Sequence, residues 1–134
     1  MAVSTYLRDQ RLAHYRGTQP PAVVTFYLSL HSADPGLTGA SELTGSGYAR
    51  VAVTANTTNW GAPSTNGSVR QITNLVAFAF AAASGAWTTA THFGLWDASS
   101  AGNFYRGAAL TASKTVASGD TASFAIGDLV LNEQ

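Results

Sequence analysis

The feature that most constrains this chain is a period-two pattern of apolar residues, repeated in short runs that turn residues interrupt. Over residues 23–31, Val24, Phe26, Leu28 and Leu30 alternate with Thr25, Tyr27, Ser29 and His31, which is the pattern of a strand with one face in a core. Asp34-Pro35-Gly36 then sets a rigid φ beside a flexible one and makes a turn. The Gly-, Ser- and Thr-rich stretch 36–47 reads as an exposed loop, and a second strand is expected over 48–54, with Ala49, Val51 and Val53 on one face. Asn66-Gly67 is a tight-turn signal leading into a strand at 68–73. Further strands are expected at 76–81, 91–97, 104–110 and 121–131, with turns at Gly85, at 99–103 and at Ser118-Gly119-Asp120. The alanine-rich run 76–81 could suit a helix, but Phe78 and Phe80 at period two favour a strand. Roughly seven short strands at regular spacing predict a mostly β chain: a single-domain antiparallel β-sandwich, jelly-roll-like, over residues 21–134.

The start of the chain reads differently. Residues 4–16 contain neither Pro nor Gly, Ser4 or Thr5 can cap the first turn, and Gly17 can take the left-handed position after the last. Pro20 and Pro21 end the segment, so residues 1–20 are expected to form a short N-terminal α-helical arm. Its apolar residues, Tyr6, Leu7, Leu12, Ala13 and Tyr15, make only a loose stripe, so the helix needs a support for stability. Arg8, Arg11 and Arg16 stand against one acid, Asp9, and make the arm locally basic. That basic face is either a solvated surface or a docking arm for an acidic partner.

Charge narrows the partners. Only 10% of the residues are charged, against about a quarter in typical domains, so the surface is built from Ser, Thr, Asn, Gly and Ala. Such a surface suits burial against neighbouring copies or another protein. Seven basic and seven acidic residues cancel, which gives no field to attract nucleic acid or an anionic membrane. No apolar run approaches the roughly 20 residues that span a bilayer. The N-terminus has charges scattered through it and does not read as a signal peptide, and the absence of cysteine excludes disulfides and thiolate metal sites.

Chemistry-bearing patterns are sparse. His14, His31 and His92 belong to no nucleophile signature, and no Gly-x-Ser-x-Gly elbow is present. His31 with Ser32 and Asp34 has the residue types of a catalytic group, but neighbours at a strand end usually satisfy one another locally. Neither paired metal ligands, nor facing carboxylates, nor a glycine-rich phosphate cradle can be found, so no enzyme activity and no cofactor are expected. Trp60, Trp87, Trp96, Tyr48 and Tyr105 remain: core residues, interface anchors or a platform for sugar rings.

One resemblance joins these segments. The run Val24 to Gly36, then Glu42-Leu43, Gly47-Tyr48-Ala49-Arg50, Thr91-His92-Phe93-Gly94-Leu95-Trp96-Asp97, Lys114-Thr115-Val116 and Ser118-Gly119-Asp120-Thr121 resembles small tailed-bacteriophage virion proteins. These are often labelled tail fibre proteins, and some resemble capsid decoration or cement proteins. The resemblance implies a virion structural protein made in the host bacterial cytoplasm and carries over no catalytic residue. The first expectation is a capsid decoration protein on the capsid surface, where a ligand that binds only the assembled shell of major capsid protein stabilises it by mass action. The alternatives are a tail, baseplate or short tail-fibre subunit, or a glycan-binding receptor-recognition module. Partners are then the major capsid protein or other virion proteins, with a homo-oligomer, dimer or trimer, as the general expectation. Arg8, Arg11, Tyr15, Arg16, Tyr48 and Trp60 are the residues expected to touch a partner.

Overall fold

A computed structural model describes residues 2–133. In chain order its elements are β1 (Ala2–Val3), α1 (Thr5–Tyr15), β2 (Thr25–His31), β3 (Val51–Thr54) and β4 (Ser64–Asn66). These are followed by β5 (Val69–Thr73), β6 (Phe78–Ala79), β7 (Ala90–Trp96), β8 (Phe104–Lys114), β9 (Ser123–Phe124) and β10 (Val130–Glu133). Five strands form one antiparallel sheet in the order β1-β8-β7-β2-β3, and it packs against a three-stranded sheet, β10-β5-β4, and a two-stranded ladder, β6-β9. The expected mostly β, sandwich-like single domain with one short helix is what the chain forms.

The period-two pattern explains the core. Leu28 pairs with Leu95 and Leu30 with Phe93 across β2 and β7, and all four are buried. Phe78, Phe80, Phe124 and Leu129 meet them from the other layer. Rings interlock there: Tyr48 lies parallel to Phe80 at 6.0 Å, and Phe124 meets Phe93 edge-on at 6.2 Å. Each fully buried large side chain of this kind contributes about 2–3 kcal/mol, so the aromatic cluster is a main source of stability.

Several expectations need correction. The stretch 36–47 is not simply an exposed loop: Leu43 is buried, and Glu42 bridges back to His31. It lies on the outer face of the large sheet, where Gly39, at φ +81°, sits so close to Trp96 that a Cβ would come within 2.4 Å of the indole. Only glycine fits both the left-handed backbone and that approach. The run 121–131 is two strands in different sheets, β9 paired with β6 and β10 with β5, because a turn closed by the Asp128 carboxylate on the Ala125 N–H, at 3.1 Å, breaks it. The strand expected at 48–54 starts only at Val51, since Tyr48 N–H closes a turn onto the Gly45 carbonyl. The run 76–81 keeps the alternation, with Phe78 and Phe80 buried between exposed alanines, but pairs over two residues alone. The Asn66-Gly67 signal does make a hairpin, joining β4, a strand the sequence reading left out, to β5.

The edge strand β1 was also missing from the sequence reading. It pairs Ala2 with Gly107 and Val3 with Arg106 on the outer side of β8. Helix α1 therefore springs directly from a sheet edge. Ser4 Oγ accepts from the Leu7 N–H at 3.0 Å, while Gly17 and Thr18 N–H groups return to the His14 and Ala13 carbonyls, a Schellman ending. No residue within the helix is fully buried.

Candidate functional site

Two surfaces meet at α1: its outward face and a groove beneath its inward face. Arg8, Leu12, Tyr15 and Arg16 stand at i, i+4, i+7 and i+8 and share the outward face. Leu12 is 64% and Tyr15 88% exposed, with the two arginines exposed beside them. On the inward side, the Tyr6 ring packs on Tyr105 at 5.4 Å, and Leu7 and Arg11 reach over the body. Tyr105 sits at a register shift in the β7–β8 pairing and so also meets Phe26, edge-on at 5.1 Å. Its phenol is pushed up to about 12 by burial first, then by Tyr6.

The groove opens where the two main sheets part under the helix and holds about 470 Å³. Phe26, Leu95 and Tyr105 come from the large sheet, Ile72 and Leu131 from the small one, and Trp60 from the connecting segment. At its rim Arg106 Nη2 lies 2.7 Å from Glu133 Oε1, and Arg11 bonds the same oxygen. Two guanidinium groups thus share one carboxylate. Arg106 is buried, which pulls its pKa below the ordinary arginine range, and its Nε–H has no partner among the described residues.

The expected partner-contact residues divide. Arg8, Tyr15 and Arg16 come together on the outward helix face, whereas Arg11 turns inward to Glu133. Trp60 is half-buried in the groove, 6.2 Å from Phe78. Tyr48 points inside: its hydroxyl donates to Glu42 and accepts from the Leu30 N–H, both at 3.0 Å. Sequence reasoning passed over Leu12 as a surface residue and missed Arg106 and Glu133. Period two places Arg106 in phase with Ala108 and Leu110, and a charge in phase with apolar neighbours is the signal that could have found it, although the register shift at Tyr105 turns Phe104 to the other face.

His31 is not accessible. It is wholly buried, with Nδ1–H donating to the Ala40 carbonyl at 2.7 Å and Nε2 accepting from Ser29 Oγ at 2.8 Å. Ser29 in turn accepts from Trp96 Nε1–H at 3.0 Å, so the neutral tautomer is fixed by a chain of donors. Burial, ahead of any charge, lowers the imidazole pKa.

A family model described as Podophage GP4 fiber I protein gp80 matches residues 2–132. The chain belongs to this family. It is thereby a phage virion structural protein. None of the curated proteins matches the sequence. Within this gp80-family chain, the segments that carried the sequence resemblance meet physically as scaffold. Arg50 holds Glu42 through two bonds of 2.8 and 2.7 Å and lies 3.8 Å over the Trp96 ring, while Asp97 holds the Asn103 N–H at 2.7 Å. None of Glu42, Arg50, Trp96 and Asp97 lines the groove.

Proposed function

We propose that this gp80-family chain is a subunit of the fibre apparatus of a tailed-phage virion. It docks on a neighbouring virion protein through the outward face of α1, and its work is binding and not catalysis. The observation that carries the reading is the stripe Arg8, Leu12, Tyr15 and Arg16, two open apolar side chains flanked by arginines on a helix whose opposite face meets the body through Tyr6 and Tyr105. A large exposed aromatic beside arginine is the composition of a binding hot spot, and its complement is an acidic surface with an apolar recess. The fibre assignment draws its support from the family description.

Capsid decoration is the second reading, with the major capsid protein as partner. The low charge content favours it, since a chain with only 10% charged residues suits extensive lattice contact. Copy number relative to the major capsid protein, measured in purified virions by quantitative mass spectrometry, separates the two. A few copies per particle is the fibre result, and a ratio near one-to-one or a simple fraction of it is the decoration result. Absence from the particle overturns both. The Arg8→Glu/Arg16→Glu double variant is expected to keep its fold and lose roughly tenfold or more of its incorporation, about 1.4 kcal/mol or more of docking energy. Incorporation at the wild-type level would remove the helix face from the proposal.

A further inference from the structure

Away from the helix the chain presents a second feature of binding character, a rigid corner between β5 and β10. Asn74 is wholly buried there, and its side chain donates to the Val76 and Ala125 carbonyls at 2.8 and 2.9 Å and accepts from the Leu129 N–H at 2.9 Å. Its own carbonyl accepts from the Gly127 N–H at 3.0 Å. This fixed frame holds Ile126 at 66% and Leu75 at 45% exposure, with the exposed carboxylate of Asp128 two residues from Ile126. Apolar side chains shown to solvent by a turn that is already ordered lose little further entropy on binding, which is the condition for an anchor.

The groove under α1 has the complementary character. Its walls are Phe26, Trp60, Ile72, Leu95, Tyr105 and Leu131, and its rim carries two arginines on one carboxylate, an excess of positive charge. None of Leu75, Ile126 and Asp128 lines it, so the corner adjoins the groove wall where Asn74 bridges to Trp60 but does not fill the groove of its own molecule. The groove volume, about 470 Å³, exceeds the needs of a single aliphatic side chain.

We propose that the corner of one copy seats in the groove of a second, Ile126 entering the apolar walls and Asp128 facing the Arg11 and Arg106 rim. The contact is heterologous, because a surface meets a different surface, and such contacts close into a ring or continue as a filament according to the rotation between copies. The proposal goes beyond docking through the outward helix face and uses none of its exposed residues.

Sedimentation velocity of the purified chain, with concentration raised into the millimolar range, tests it. The wild type is expected to associate, and Ile126→Ser and Arg11→Glu are each expected to weaken association by roughly tenfold or more. Mixing the two variants is the decisive arm. The Ile126→Ser chain keeps an intact groove and the Arg11→Glu chain an intact corner, so the mixture forms a one-to-one pair that grows no further. A wild type that stays monomeric, an Ile126→Ser chain that assembles undiminished, or a mixture no better than its components overturns the proposal. In those cases the groove belongs to a different protein or to a small amphiphile. Ile126 is 66% exposed and lies outside the core cluster, so its variant carries the test if Arg11→Glu fails to fold. The Arg8→Glu/Arg16→Glu chain is expected to assemble like the wild type, which keeps failure here distinct from failure of the docking reading.

Discussion

The loop-covered face of the large sheet and the helix-covered end treat polar groups in opposite ways. Under residues 35–50, Trp96, Ser29, His31 and the Ala40 carbonyl form an unbroken run of hydrogen bonds. Arg50 uses all three of its nitrogens, on Glu42 and on the Ala98 and Ala101 carbonyls. Beneath the helix, two arginines divide one carboxylate, a buried guanidinium Nε–H goes unmatched among the described residues, and large apolar side chains line an open groove. The difference teaches where to look for function: a region whose polar groups are satisfied internally specifies the fold, and one with unmatched groups is available to a partner.

The largest effect that would break this contrast is expected from Arg50→Ala. It leaves the Glu42 carboxylate, 19% exposed, with the Tyr48 hydroxyl but without its cationic partner, and strips the cation from Trp96. Removing one member of a buried pair costs about 3 kcal/mol or more, so denaturant unfolding should show a loss of that size. A loss below about 1 kcal/mol would mean that the loop-covered face is not the more specified region.

A smaller and graded effect is expected from acid. The His31 pKa is lowered in the fold, so the unfolded chain takes up its proton first as pH falls below the ordinary imidazole value of 6.5. Within that window the unfolded state binds more protons, and stability rises with pH. Thermal unfolding is therefore expected to move to lower temperature from neutral pH towards pH 5, and His31→Gln to flatten that part of the profile. An unchanged slope in the variant would place the acid sensitivity elsewhere.

The smallest effect sharpens the other side of the comparison. Ser4→Ala removes the side-chain cap of α1 and should cost about 1 kcal/mol. Because no helical residue is fully buried, the loss should stay local. Amide hydrogen exchange is expected to quicken at Leu7 and its neighbours in α1 while Leu28 and Leu30 keep their protection. Equal loss of protection in β2 would show that the helix is part of the cooperative core.

Much of the architecture was legible in the sequence, and the exceptions have physical causes. Alternation in 23–31 and 91–97 located β2 and β7 because each buries a continuous apolar face. The strand Ala2–Val3 was invisible because two residues carry no period, and its pairing with β8 is a long-range contact. The run 121–131 looked continuous because its two halves pair with different strands, β6 and β5, which local pattern does not distinguish. At the candidate site, arginine content and helix phase pointed to Arg8, Tyr15 and Arg16, while Tyr48 and Arg11 were sent inward by partners far along the chain.

The sequence by itself determined the elements whose cause is local: strands from period two, the helix from its cap and stop signals, the hairpin from Asn66-Gly67. Tertiary structure alone decided which polar groups would be matched. Glu133 lies 122 residues from Arg11, and Trp96 lies 67 residues from Ser29. Whether a charge is spent within the fold or left for a partner depends on what the chain brings beside it, and only the packing of the sheets and the seat of the helix supply that.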